Sequence, residues 1–223
     1  MNKEQKEVYK SFPLSLQKDN RQENGPGTLL APPPVVLVSV AGKEEDRTKR
    51  DFAGANLITV AWAGIINSDP PMLSISVRPE RYSDELLLLH QEFVVNLVST
   101  DLAAATDYCG VVSGRDLDKF AATGLSPVPA AKMTSTPAVA ESPLSLSCKV
   151  VEKKELGSHT LFIGEIVAVE VQSGLLDANN ALRLERANLV CYQHGQYYEV
   201  GEKLGFFGYS VAKPAVRKRR MGR

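Results

Sequence analysis

The segment from residue 56 to residue 83 contains side chains that could together bind a flat, aromatic and anionic ligand. Asn56, Thr59 and Trp62 lie in its first part. Hydroxyl and guanidinium groups lie at its end, on Ser76, Arg78, Arg81, Tyr82 and Ser83. Arginine forks and hydroxyls suit phosphate oxygens, and aromatic faces suit a conjugated ring. The residue types therefore favour a site for a planar ring that carries a phosphate.

Two β-branched, apolar runs within this segment predict two strands, Asn56–Ile65 and Met72–Val77. Between them lies Asn67-Ser68-Asp69-Pro70-Pro71, a polar cluster stiffened by proline, which predicts a turn. The pattern as a whole predicts a β-hairpin. Taken singly, each polar residue also fits a hydrophobic hairpin whose arginines are merely solvated, so residue types alone leave this alternative open.

The order of residues in this segment is more specific than its composition. N-x-x-T-x-A-W-x-G begins at Asn56, S-D-P-P-M begins at Ser68, and S-x-R-P-x-R-Y-S begins at Ser76. Further on, the chain reads E-F-V-V-N-L-V, S-G-R-D-x-D-K-F and S-H-T-L-F-I-G-E-I. In combination these motifs resemble the flavin reductase-like, FMN-binding split-barrel family, over about residues 32–212. The chain has Pro33-Pro34 where the family frequently has an arginine.

The resemblance implies a mainly β fold, namely an antiparallel, Greek-key-like split β-barrel with short helical decorations. It also implies a homodimer that binds one FMN per subunit near the subunit interface. In such a site Arg78, Arg81 and Ser83 would hold the phosphate, with Tyr82 nearby. The ribityl chain and ring edge would be bonded by Asn56, Thr59 and the backbone of Val60 and Ala61, and Trp62 would border the ring. The other residues implied are Ser76, Lys119, Phe120 and, as the catalytic residue, His159. Cys109 and Ser113 are weaker candidates without an assigned role.

The function implied by the resemblance is transfer of a hydride from NAD(P)H to FMN. Because a flavin itself carries this chemistry, the protein needs no catalytic triad, and the sequence contains no nucleophile elbow or P-loop. Two other functions stay open: a flavoredoxin-like electron carrier with tightly bound FMN, and a non-catalytic flavin-binding protein. For the reductase and for the electron carrier, the implied partner is a monooxygenase or an electron-transfer protein.

Composition argues against several other classes of protein. The 223 residues contain 26 acidic and 26 basic side chains, so no overall field favours nucleic acid. Three distant cysteines predict neither a disulfide framework nor a zinc site. The charged start MNKEQKEVYKSF is no secretory signal, and no run approaches the ~20 apolar residues of a membrane span. These features predict a cytoplasmic protein without a metal, a membrane segment or a nucleic-acid partner.

The rest of the chain predicts three regions. Residues 1–30 are polar and predict an N-terminal arm, 31–212 predict the split-barrel domain, and 213–223 predict a basic, solvated tail. Within the domain we expect about seven or eight strands and a few short helices. One helix is predicted over Asp84–Glu92, with Ser83 or Asp84 as its N-cap, and another over Leu102–Cys109. Residues 126–143, rich in Pro, Ala, Ser and Thr, predict a long connector.

Overall fold

The computed structural model describes residues 22–43 and 52–221. Residues 30–200 form one compact unit. Its strands are β1 (Val36–Val40), β2 (Asn56–Val60), β3 (Ala63–Ser68), β4 (Pro71–Val77), β5 (Glu92–Leu97), β6 (Pro127–Pro129), β7 (Pro137–Val139), β8 (Leu144–Glu155), β9 (Thr160–Val171), β10 (Val190–Gln193) and β11 (Gln196–Glu199). Its α-helices are α1 (Tyr82–His90), α2 (Ala103–Val111) and α3 (Lys119–Thr123). Short 3-10 helices occur at Thr100–Leu102, Ser173–Leu175 and Leu184–Arg186.

Seven strands form one antiparallel sheet in the order β2-β1-β5-β8-β9-β4-β3. The first and last strands of this order, β2 and β3, are consecutive in the chain and are separated only by Ala61 and Trp62. The sheet must therefore curl so that the end of one edge strand lies next to the start of the other, which gives a half-barrel. We call Ala61-Trp62 the seam, and it is held to β4 by a bond from Ser76 N to Trp62 O of 2.9 Å. The predicted mainly β, antiparallel fold is confirmed.

Strand β1 is buried on both faces and separates two apolar clusters. Val38 packs into the barrel interior with Ile75 and Phe162. Leu37, which points to the opposite face because side chains alternate along a strand, packs with Leu102 and Phe120 under the helices. The helices α2 and α3 therefore cover the outer face of the sheet edge that carries β2, and this edge contributes the first candidate site residues.

Gly164 of β9 allows the barrel interior to pack closely. A Cβ at this position would lie 2.7 Å from Phe93 Cζ and 3.0 Å from Cys148 Cβ, and both side chains are completely buried. We therefore expect Gly164→Ala to lower the free energy of unfolding by about 1–3 kcal/mol, because overpacking forces these groups apart. Urea unfolding measures the loss. Gly64→Ala is the matched control in a strand, since no atom lies within 4 Å of its Cβ position. Equal stability of the two variants would contradict the prediction.

The predicted hairpin is present, but its boundaries differ. Strand β3 pairs with β4 from Ala63↔Ile75 to Ser68↔Pro71, as the turn signal predicted. The predicted strand Asn56–Ile65 is wrong as a single strand, because the chain changes its pairing partner at the seam. Helix α1 begins at Tyr82, and its N-cap is Arg81 without a side-chain cap bond. The predicted cap at Ser83 or Asp84 is therefore wrong, since both residues lie inside the first turn.

The predicted connector 126–143 is packed and contains the paired strands β6 and β7. The buried carboxylate of Glu92 accepts backbone N–H groups from Thr134, Ser135 and Thr136 at 3.0–3.1 Å. Burial raises the pKa of this carboxyl, but the donors from 134–136 outweigh burial and hold the pKa below its usual value. Segment 126–143 is therefore not a flexible linker, because its backbone is hydrogen-bonded to a buried carboxylate.

The described residues 22–29 and 201–221 belong to a second compact unit. Its helix is α4 (Pro214–Met221), so the predicted solvated tail is helical over most of its described length. Arg217 donates from Nε to Tyr209 O at 2.6 Å, and the Arg220 guanidinium lies 5.0 Å from the Phe206 ring centroid. The predicted N-terminal arm falls mostly on residues outside the described ranges, while 22–30 are exposed and irregular.

Candidate functional site

Two adjoining cavities lie where β2, the seam and the end of β4 meet helices α1 and α2. The first has a volume of about 500 Å³ and the second about 400 Å³. They share Ile58, Arg78 and Arg81, so the two guanidiniums stand at the junction of the cavities. The combined space is within the usual range for small-molecule and cofactor sites, which is roughly 300–1,000 Å³.

The first cavity is lined mainly by polar groups. Asn56 and Ser83, both buried, are linked by a bond from Nδ2 to Oγ of 2.8 Å, which joins β2 to the first turn of α1. The backbone at Gly114 presses against the same asparagine, because a Cβ there would lie only 2.1 Å from Asn56 Oδ1. The N-terminal turn of α1 contributes Tyr82 and Ser83 to the lining. The positive end of the α1 helix dipole favours an anion at this position.

Lys119 adds a buried cation to the first cavity. Its side chain is 4% exposed, and Nζ donates to Leu57 O at 2.8 Å and to Cys109 O at 2.7 Å. It therefore joins the edge strand β2 to the last turn of α2. The pKa of Lys119 is lowered to about 8, chiefly by burial and to a smaller extent by the nearby Arg81, while Cys109 opposes the shift. Burial also raises the pKa of Cys109 to about 11, so this thiol is protonated at neutral pH.

The second cavity has an aromatic wall. Trp62 and His159 stack with ring centroids 4.3 Å apart and planes 28° from parallel, and Trp62 remains 46% exposed. The imidazole Nδ1 lies 2.9 Å from Ser158 Oγ. Burial and the Arg78 guanidinium lower the pKa of His159, and the Glu80 carboxylate opposes them. The stack offers a planar surface beside the guanidiniums at the junction.

Twelve of the thirteen residues predicted for the site line one or both cavities. The first cavity includes Asn56, Arg78, Arg81, Tyr82, Ser83 and Lys119. The second includes Thr59, Val60, Ala61, Trp62, Ser76, Arg78, Arg81 and His159. Phe120 lines neither, because it is 4% exposed and packs in the core beneath α3. The hydroxyl of Thr59 donates to Thr106 O and is therefore directed towards α2.

The weaker candidate Ser113 lines the first cavity, whereas Cys109 lines neither cavity. Gly114 was not predicted, although it follows Ser113 in the motif that also contains Lys119.

Three other lining residues were not predicted. Tyr192 and Tyr197 come from the β10–β11 hairpin, where the Tyr197 hydroxyl donates to Asp107 Oδ1 at 3.1 Å. Glu80 was also missed, although its carboxylate lies 3.4 Å from Arg78 Nη1 and opposes anion binding at the junction. Of these three, Glu80 lies within the motif that begins at Ser76, and the two tyrosines lie in none of the motifs given above.

A third cavity, of about 300 Å³, shares His159 with the second. Its lining includes the buried Asp84, whose Oδ1 has no hydrogen-bond partner among the described residues. Burial raises the pKa of the Asp84 carboxyl, which the Thr160 hydroxyl and the Lys153 ammonium oppose only partly. His159 therefore lies between the second cavity and the third.

Residues 22–43 and 52–221 also bear on whether the chain has a metal site or a membrane-spanning helix. The histidine, cysteine and acidic side chains of these ranges form no group of three that could hold a metal ion. None of the helices in the same ranges has both the length and the apolar composition needed to span a bilayer.

The chain is similar to several known proteins. The chain is similar to the flavoredoxin of Desulfovibrio vulgaris (Miyazaki F), with 31% identity, a TM-score of 0.75, and coverage of 83% of this chain and 96% of that one. It is similar to the flavoredoxin from Methanosarcina acetivorans, with 26% identity, a TM-score of 0.73, and coverage of 86% and 100%. The reductase component of the FADH(2)-dependent resorcinol hydroxylase of Rhizobium sp. (strain MTP-10005) is 26% identical over 51% of this chain and 61% of its own length.

Two uncharacterized relatives, from Pyrococcus abyssi and Archaeoglobus fulgidus, are 28% and 32% identical, and the chain spans 64% of the length of each. A domain-family model also matches the chain. The flavin reductase like domain matches residues 29–201, which include the whole half-barrel and both adjoining cavities. The chain therefore belongs to the flavin reductase-like family.

Proposed function

We propose that this chain binds FMN and transfers a hydride to it from NAD(P)H. The observation that carries the proposal is the pair Arg78 and Arg81, which stand between a polar cavity and a cavity with an aromatic wall. A phosphate on one side of this pair and a planar ring on the other would match the two linings. Membership of the flavin reductase-like family and similarity to the reductase component of a hydroxylase support the same activity.

The donor set of the site fits FMN. A phosphate needs cations and hydrogen-bond donors, and the first cavity offers Arg78, Arg81 and Lys119 with the hydroxyls of Ser83 and Ser113. Gly114 lets the backbone approach Asn56 so closely that no side chain at that position could fit. A flavin ring needs a flat neighbour and polar edges, which Trp62, Ser76 and the backbone at 59–61 supply in the second cavity.

FMN, when bound, supplies the redox chemistry of its ring, and the protein supplies position and electrostatics. Arg78, Arg81 and Lys119 would fix the phosphate and so set the depth at which the ring lies. Trp62 and His159 would border the ring. Because Trp62 remains half-exposed, the second cavity stays open to a nicotinamide on its outer side. His159 would face that substrate with an imidazole that Arg78 and burial keep neutral at physiological pH, as the lowered pKa indicates.

Partners are proposed on the same basis. The similarity to a hydroxylase reductase component supports a monooxygenase that consumes the reduced flavin. A homodimer is supported by exposed apolar groups on the edge strand β3, where Ile65 is 67% and Ile66 49% exposed. Such side chains on an unpaired edge favour association with another chain.

A second candidate function is electron carriage without a nicotinamide site. The similarity to two flavoredoxins, which covers more of this chain than the match to the reductase component does, favours this alternative. In a carrier, FMN would stay bound and electrons would arrive from a protein partner.

An absorbance spectrum of the purified protein loaded with FMN tests both functions. The proposed reductase should bind FMN and lose its visible flavin absorbance within seconds of anaerobic addition of NADH or NADPH, on the order of typical turnover times. Absorbance that falls only with dithionite would overturn the reductase and support the carrier. A protein that takes up no FMN would contradict both.

A further inference from the structure

The first cavity has two walls that come from distant parts of the chain. One wall is the turn Arg78–Arg81 with the first turn of α1, and the other is the turn Ser113–Asp116 after α2. Two side chains connect these turns. Asn56 of β2 contacts the backbone of Gly114 on one side and donates to Ser83 Oγ on the other. Arg115, which lines neither cavity, makes a second connection.

Arg115 reaches from its own turn across to the opposite wall with both ends of its guanidinium. Nη1 donates to Glu80 O at 3.1 Å, and Nη2 pairs with Glu85 Oε2 at 3.1 Å. The guanidinium also lies over the Tyr82 ring, 5.1 Å from its centroid. Lys43 Nζ holds the other carboxylate oxygen of Glu85 at 2.8 Å, which fixes the acceptor in place. These contacts form a clasp outside the cavity.

The turn that carries Arg115 also orients a hydroxyl inside the cavity. The backbone N–H of Arg115 donates to Ser113 Oγ at 3.2 Å, and Asp116 N donates to Ser113 O at 3.2 Å. Since the serine oxygen already accepts this bond, its own hydrogen is left to donate to another acceptor. Ser113 lines the first cavity, so that acceptor would be a ligand oxygen.

We propose that Arg115 is a positioning residue, whose side chain holds the two walls at the spacing a phosphate monoester needs and so keeps the Ser113 hydroxyl within reach of it. The proposal rests on the proposed function, because it takes the ligand of the first cavity to be the FMN phosphate. An arginine suits this role because its planar fork serves a carbonyl and a carboxylate at once, which the single ammonium of a lysine does not.

The first test compares ligands with and without a phosphate. We expect Arg115→Ala to weaken FMN binding by roughly 5- to 20-fold, which is less than the loss of a direct contact with the phosphate, because Arg115 acts only through the walls that bind it. Binding of riboflavin, which has the same ring but no phosphate, should change by less than about twofold. The FMN affinity of Arg115→Lys should lie between those of the wild type and Arg115→Ala. Quenching of flavin fluorescence measures each dissociation constant.

Arg183→Ala is the matched control. Arg183 pairs with the acidic side chains of Asp177 and Glu185, as Arg115 pairs with that of Glu85, and both arginine side chains are 46% exposed. It lines neither adjoining cavity, so its loss should leave both affinities unchanged. Equal loss of FMN and riboflavin affinity in Arg115→Ala would indicate general damage and would overturn the positioning role.

The second test needs no flavin. Hydrogen exchange of the flavin-free protein should be about threefold or more faster in Arg115→Ala for peptides covering 112–117 and 79–85, since the clasp no longer restrains either turn. Unchanged exchange in both peptides would overturn the clasp. Faster exchange with unchanged FMN affinity would overturn its role in the site. If the wild-type protein bound no FMN, the proposed function would fail, and with it the positioning role, while exchange would still decide whether the clasp exists.

Discussion

Replacing both Arg78 and Arg81 with alanine should weaken FMN binding by about 100- to 10,000-fold. Each guanidinium lies at the junction of the two cavities. A hydrogen bond to a charged group contributes about 1.5–3 kcal/mol, so two such losses amount to about 3–6 kcal/mol. Each single variant should lose roughly 10- to 100-fold. Equilibrium dialysis or fluorescence titration measures these changes over the required range.

Two comparisons make this result specific. Glu80→Gln should change FMN affinity in the opposite direction, because it removes the carboxylate that pairs with Arg78 at 3.4 Å and repels a phosphate. Riboflavin should bind the double variant almost as well as the wild type. Full FMN occupancy of the purified double variant would remove both arginines from the site and with them the observation that carries the proposed function.

FMN affinity should also fall as the pH rises above 8, at up to about tenfold per pH unit. Burial lowers the pKa of Lys119 to about 8, so its charge is lost in a range where an ordinary lysine keeps it. Below this pKa the ammonium attracts the phosphate. Above it the free protein holds a neutral amine, and binding must take up a proton. Titrations at pH 7, 8, 9 and 9.5 measure the slope.

The free energy of unfolding should have the opposite slope. The pKa of Lys119 is lower in the folded state than the ordinary value of 10.5, so the unfolded chain binds more protons between pH 8 and 10.5. In this window Lys119 makes the free energy of unfolding rise with pH. Lys119→Met removes the charge but keeps most of the length of the side chain, and it should flatten both profiles, provided that circular dichroism shows an unchanged fold. A wild-type FMN affinity that stays constant to pH 9.5 would contradict the role of this charge.

The hairpin and most of the candidate site could be predicted from the sequence because they depend on neighbours in the chain. The polar groups at 76–83 follow one strand directly, so a single motif places them together. Arg115 and Tyr197 could not be predicted in the same way. Each reaches its partner across about 30 or 90 positions of sequence, and no local period or spacing encodes such a contact.

Lys119 and Phe120 show a different limit. Both belong to one motif and were assigned together, but they are adjacent in helix α3 and therefore point in directions about 100° apart. One side chain reaches the cavity and the other fills the core. A motif match carries both residues equally, and only the orientation of the helix distinguishes them. The break at the seam was missed for a related reason, since apolar residues continue through it while the pairing partner changes.

The seam makes the assembly of the sheet cooperative. Strands β2 and β3 lie at opposite edges, yet two residues join them, so β2 cannot dock on β1 without bringing the β3–β4 hairpin to the far side of the sheet. Pairings such as β5 with β8 and β8 with β9 lie between these edges and must also be satisfied. Such distant pairings slow folding and concentrate it into few steps. A ligand that contacts Ala61 and Trp62 would bind where the two edge strands join, so its binding would stabilise the arrangement of the whole sheet.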